Sequence, residues 1–143
     1  MIEKMRSLLR ENSMCVLATS LDNKPHCSLM AYVTDENALT VYMVTLKKSK
    51  KHSNILLNPF VSLLVDTRAS GASGAQNVVA LTVTGSATPL EHEEERKAII
   101  ERILERHPHL NELTCHRDVE VLSVAVESFL LLDGPTTAHF EAV

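Results

Sequence analysis

The apolar positions of this chain change period several times, and those changes divide it into elements. Ile2, Met5, Leu8 and Leu9 recur at helical spacing, so the first dozen residues read as a short amphipathic helix ending near Asn12-Ser13. From Met14 to Thr19 the pattern becomes that of a short apolar strand, closed by the turn-forming stretch Leu21-Asp22-Asn23-Lys24-Pro25. A second strand is expected from His26 to Thr34, a turn at Asp35-Glu36-Asn37, and a third strand from Leu39 to Val44 that pairs back as a hairpin. Lys50 to Leu57 reads as a short helix stopped by Asn58-Pro59, because proline disfavours the helical conformation in the residue before it.

Phe60 to Val65 is strand again, and Asp66 to Gln76 is a small, polar loop containing Ala69-Ser70-Gly71-Ala72-Ser73-Gly74-Ala75, expected to be mobile. In the strand Val78 to Ala87, Leu81, Val83 and Gly85 share one face, with Thr82, Thr84 and Ser86 on the other. Ile99, Ile100, Ile103 and Leu104 form the apolar stripe of a helix from Glu93 to Arg106, whose acidic start suits the helix dipole. His107-Pro108 ends it, and Val119 to Leu132 is the last long strand. Six mostly antiparallel strands with three helices at intervals predict a mainly β fold, a closed or partly closed barrel with peripheral helices. Periodicity alone leaves an open sheet with helices on one face as the alternative.

With 143 residues and 45% hydrophobic content, one domain over 1–143 with a single core is expected. The net charge of -4 gives no general attraction to nucleic acid or anionic membranes, so neither is an expected partner. No apolar run reaches the roughly 18 residues of a membrane span, and the charged start lacks a secretory signal pattern. Cys15, Cys27 and Cys115 are odd in number and widely spaced, which fits a cytoplasmic protein better than a disulfide framework.

Charge changes the picture at one place. Lys47-Lys48-Ser49-Lys50-Lys51 puts four cations around a helix start that is already positive through its free N–H groups and dipole. Such a cluster costs stability unless an anion arrives. With Ser49 as N-cap, it offers the N–H donors, hydroxyl and ammonium groups that a phosphate dianion needs. A solvated charged turn is the alternative, but the strand ending in Val44-Thr45 and the loop from Ala69 to Gln76 supply further walls for a ligand.

Other constellations carry less. His107, His109, Cys115 and His116 match no zinc spacing and read as surface histidines with a nearby thiol; Glu93-Glu94-Glu95 reads as a solvated helix start. Tyr32 reads as a core or interface residue and Cys27 as a small buried apolar group. The four glycines form neither GxGxxG nor a Walker loop, and GxSxG is missing.

In order, Pro25-His26-Cys27-Ser28-Leu29-Met30-Ala31-Tyr32-Val33, Val44-Thr45, Ser49-Lys50-Lys51 and Asn58-Pro59 resemble the FMN-binding split-barrel family that includes pyridoxamine 5'-phosphate oxidase. In that family a strand beginning near a proline leads through a hairpin to a strand ending in threonine, a Ser-Arg/Lys-Lys turn and a short helix ending in Asn-Pro. The resemblance covers about Leu8 to Leu90 and implies a six-stranded antiparallel split β-barrel. It also implies that Lys50 and Lys51 hold the FMN phosphate with Ser49, that Val44 and Thr45 line the ribityl chain and ring edge, and that Ser28, Leu29 and Met30 lie along the isoalloxazine. Gln76 or Asn77 corresponds to a glutamine that reaches the flavin. A homodimer with the flavin at its interface is implied too.

The end of the chain, Thr136 to Val143, has no arginine where the oxidase grips its phosphorylated substrate, so synthesis of pyridoxal phosphate is not expected. Lysine at position 50, where the family often has arginine, keeps the charge and loses the planar fork. The function expected is an FMN-dependent oxidoreductase taking electrons from a small substrate or NAD(P)H. The alternatives are a non-catalytic FMN-binding or electron-carrier protein, or the same fold holding deazaflavin or haem.

Overall fold

A computed structural model describes residues 1–68 and 78–143. The expected loop residues Ala69 to Gln76, and the two site candidates Gln76 and Asn77, lie outside the described residues. The elements run α1 (Ile2–Glu11), β1 (Met14–Leu21), β2 (Lys24–Ala31), β3 (Val33–Thr34), β4 (Thr40–Leu46), α2 (Lys50–Leu57), β5 (Phe60–Asp66), β6 (Val79–Pro89), α3 (Glu93–Arg106), α4 (Asn111–Thr114), β7 (Val119–Asp133) and β8 (Ala138–Ala142). A single 3-10 turn, Pro108–Leu110, leads into α4.

All described strands join one antiparallel sheet in the order β2-β1-β5-β6-β7-β4-β3, with β8 added alongside β7. β2 and β3 stand at opposite ends of that order, yet only Tyr32 separates them in the chain. The sheet must therefore curl until its two ends meet, and this is the split barrel. The six expected strands are all present. Two short ones join them: the run from His26 to Thr34 breaks at Tyr32, and residues after Gly134-Pro135 return as β8.

The local reasons are those the sequence carries. Asp22 and Asn23 both take positive φ, 53° and 61°, the left-handed pair that closes a two-residue hairpin with the twist of its strands. Alternation along β1, β5 and β6 turns Cys15, Leu17, Val61, Leu63, Val65, Leu81 and Val83 into the barrel. There they meet Phe129 and Leu131 of β7, with Met5 and Leu9 of α1 plugging one end. A second cluster holds α3 against β4 and β7 through Ile99, Ile103, Val44 and Val121.

Tyr32 pins the seam. It is fully buried, its hydroxyl donates to Leu9 O at 2.7 Å, and its N–H donates to Ser13 O at 3.0 Å. Burial pushes its phenol well above the ordinary tyrosine range, so it stays a neutral donor. His107 departs from the surface role expected of it: it is buried, with Nε2 3.1 Å from Tyr32 O. The rigid turn after α3 folds the imidazole inward, where that main-chain carbonyl needs a partner. Cys27 departs in the opposite sense and is exposed. It pairs with Ala18 on the outer face of the barrel, the face that the alternation of β1 leaves uncovered.

Candidate functional site

The helix start that carries the lysines is built by the chain itself. β4 ends at Leu46, Lys47 N–H donates to Asp118 O (2.9 Å), and Ser49 N–H donates back to Leu46 O (3.0 Å). This tight turn leaves Ser49 as the N-cap of α2, its Oγ accepting from His52 N–H at 3.3 Å. Thr45 Oγ1 lies 2.9 Å from the same Ser49 oxygen, so the strand end and the helix start are tied by one hydroxyl pair. At the other end Asn58 caps the helix and donates through Nδ2 to Ser20 O, while Asn54 Nδ2 donates to Thr19 Oγ1. These side chains fix α2 on β1, so the position of its amino-terminal end is set from below.

A cleft of about 300 Å³ opens beside that end. Leu29, Met30 and Ala31 of β2 form one wall, Val44, Thr45 and Leu46 of β4 another, Ser49 and Lys51 the polar end, and Leu110 and Leu113 the far side. Among the described residues, Lys47, Lys48, Lys50 and Lys51 have no carboxylate within ion-pair distance, and the first turn of α2 holds no acid. Lys51 is half-buried, and desolvation lowers its pKa from the ordinary lysine value. An uncompensated cationic helix start next to an apolar slot fits a ligand with an anionic group at one end and a flat apolar body at the other.

The structure brings together Leu29, Met30, Val44, Thr45, Ser49 and Lys51 on this one cleft. Two expected residues are not on its wall. Lys50 points to solvent at the rim, because successive helical residues diverge by about 100°. Ser28, on the same face of β2 as Met30, lies beyond the cleft's lining, with Oγ 3.4 Å from His26 Nε2. Sequence reasoning missed Leu110 and Leu113, which reach the cleft from the 3-10 turn and α4; nothing in their local pattern marks them. It also missed a pair under the helix start, the buried His52 and the partly buried Glu120, with Nε2 and Oε1 3.6 Å apart.

The family model for pyridoxamine 5'-phosphate oxidase matches residues 1–133. The chain belongs to that family. Solved structures share the fold at low identity. A heme-binding protein from Mycobacterium smegmatis is 17% identical at TM-score 0.85, covering 99% of this chain and 57% of that longer one. The heme storage protein HutZ from Vibrio cholerae is 19% identical at TM-score 0.72, covering 93% and 92% of the two chains. An FAD-binding protein from Mesorhizobium loti is 18% identical at TM-score 0.73, covering 90% and 91%. At these identities the likeness establishes the fold and leaves the ligand to the chain's own residues. No curated protein matches the sequence significantly.

Proposed function

We propose that this protein binds FMN in the cleft between β2, β4 and the start of α2, and that it acts as a flavin-dependent oxidoreductase. The observation that carries this reading is the set of lysines around Ser49, none with a carboxylate partner among the described residues, at the polar end of an apolar slot. Ser49, Lys50 and Lys51 would hold the phosphate; Val44 and Thr45 would line the ribityl chain, and Leu29 and Met30 the ring. Leu110 and Leu113 would keep water from its far side. The bound flavin would supply hydride and electron transfer, and the polypeptide placement and solvent control.

The haem reading draws support from the relatives that bind haem. The cleft walls favour flavin, since their described residues include no imidazole or thiol, and the cations beside them suit a phosphate. The purified protein, incubated separately with FMN and hemin, distinguishes them by absorbance. FMN is expected to bind with a red-edge shift of its visible bands. A Soret band that persists against excess FMN would overturn the assignment. Rapid reduction by NADPH would then support the enzyme, and reduction by dithionite alone the electron carrier.

The second copy of the chain proposed as partner fits the outer face of the barrel. Strand register aligns Leu29, Val16, Leu64, Thr82, Leu130 and Phe140 in one row across six strands. Leu29, at 72% exposure, and Phe140, at 64%, are among its exposed members, an apolar ridge that water covers poorly. Leu29 belongs to both this row and the flavin cleft, so a two-fold mate seated on the row would also close the cleft's open side. Sedimentation is expected to give a dimer for the protein and a monomer for Leu130→Glu. An unaltered dimer in that variant would reject this face.

A further inference from the structure

His52 is the least explained group near the site. Its side chain is 7% exposed, and neither ring nitrogen has a hydrogen-bond partner. The Glu120 carboxylate lies 3.6 Å from Nε2, with only 14% of its own side chain exposed. A neutral imidazole here leaves one ring nitrogen without a partner and the shielded carboxylate without a countercharge. A cationic one gives Glu120 its countercharge and carries the cost of its own desolvation and of a second buried N–H, at Nδ1, that has no partner.

The pair is wired to the anion site by a closed loop of contacts. His52 N–H is the donor that Ser49 Oγ caps; Ser49 Oγ bonds Thr45 Oγ1; and Thr45 stands opposite Glu120 in the β4–β7 ladder. The charges around it are few. The leading loop and α2 carry Lys47, Lys48, Lys50 and Lys51, all disfavouring a further cation. β7 carries Glu120 here, with Glu127 and Asp133 farther along, and Asp118 precedes it, its carbonyl held by Lys47 N–H. Of the strands beneath or beside α2, β6 has no titratable side chain, β1 has Cys15, β4 has Tyr42, and β2 has Lys24, His26 and Cys27. Glu120 is the one acid within ion-pair distance of His52 among the described residues.

We infer that His52 and Glu120 form a proton-coupled support beneath the anion site: as a phosphate dianion settles among the lysines, His52 takes a proton from solvent and closes on Glu120. The dianion cancels the lysine field that opposes the imidazolium, and by reciprocity protonation of His52 strengthens anion binding. His52 is thus a positioning residue, acting on the ligand through Ser49 and through charge. This rests on the reading of the α2 start as a phosphate anchor.

The test measures FMN dissociation constants for the protein, His52→Gln and Glu120→Gln between about pH 6 and pH 8.5, the range in which histidine changes charge. Because the FMN phosphate itself titrates near pH 6, the quantity read is the ratio of variant to parent at each pH, in which the ligand's own protonation cancels. The ratio for His52→Gln is expected to stay near one at the alkaline end and to reach about fivefold at the acid end, the low end of usual coupling between sites. Calorimetry in two buffers of different ionisation heat is expected to show more proton uptake with FMN for the parent than for His52→Gln or Glu120→Gln, a difference in which the shares of the FMN phosphate and of Lys51 cancel. Either variant suffices if the other fails to fold.

FMN binding with a flat ratio and the same proton uptake in parent and variants would leave the phosphate anchor standing and overturn the coupling. Absence of FMN binding to the parent at every pH would overturn both.

Discussion

Replacing Lys50 and Lys51 together by alanine is expected to weaken FMN binding about 100-fold and to leave riboflavin binding unchanged. Each charge-assisted contact to a phosphate contributes roughly 1.5 kcal/mol or more, close to a factor of ten, so two contacts give the square of that. The two lysines do not contribute equally. Lys51 lines the cleft and is half-buried, whereas Lys50 stands at the rim, where salt screens it. The single Lys51→Ala variant should therefore lose more, and its loss should persist at high salt. Desolvation lowers the Lys51 pKa, so its ammonium is lost at a lower pH than an ordinary lysine's. FMN affinity should accordingly begin to fall with rising pH before other lysines deprotonate. Equal affinities for FMN in the double variant and the parent, measured by fluorescence titration, would remove the phosphate anchor from the site.

The barrel was legible because its interior follows a period of two with few exceptions. Leu81, Val83 and Gly85 alternate with Thr82, Thr84 and Ser86 along β6, and the observed burial follows them residue by residue. Asp22-Asn23 marked the first hairpin, and Ser49 and Asn58 marked both ends of α2, since each of these is a local choice of backbone conformation. What escaped depended on contacts distant in the chain. The run His26 to Thr34 contains no turn residue at Tyr32; the break there is imposed by Leu9, Ser13 and His107, which hold its hydroxyl, N–H and carbonyl. β8 forms because β7 extends far enough to offer an open edge from Ser128 to Leu132. The cleft was legible in part. Serine, two lysines and a preceding threonine are contiguous signals, but which lysine enters the slot is a question of helical angle. Leu110, Leu113 and Glu120 come from segments whose place beside α2 is set by the β4–β7 pairing and by packing against the second cluster.

Gly85→Ala is expected to cost about 3 kcal/mol of stability, the upper part of the range for forcing atoms into a packed interior. Gly85 sits where the register of β6 against β7 shifts, between Thr84 and Gly85. A Cβ built on it would lie 2.3 Å from Ala125 O and 3.1 Å from both Ala125 C and Val124 Cγ1. The nearest obstacle is main chain in the longest pairing of the sheet, so no side-chain rotation relieves it, and the two strands must part instead. For a chain of this size the loss corresponds to a fall of about 10 °C in Tm, at about 3 °C per kcal/mol. Gly134 provides the contrast. A methyl added there would have nothing within 4 Å, but the residue holds φ at +81°, so Gly134→Ala meets only backbone strain and should cost about 1 kcal/mol. Both variants are to be compared with the parent at one protein concentration, because association would add a concentration-dependent share to Tm. If Gly85→Ala melts within about 2 °C of the parent, less than 1 kcal/mol on the same scale, the close approach of β6 to Ala125 is not a constraint on the barrel.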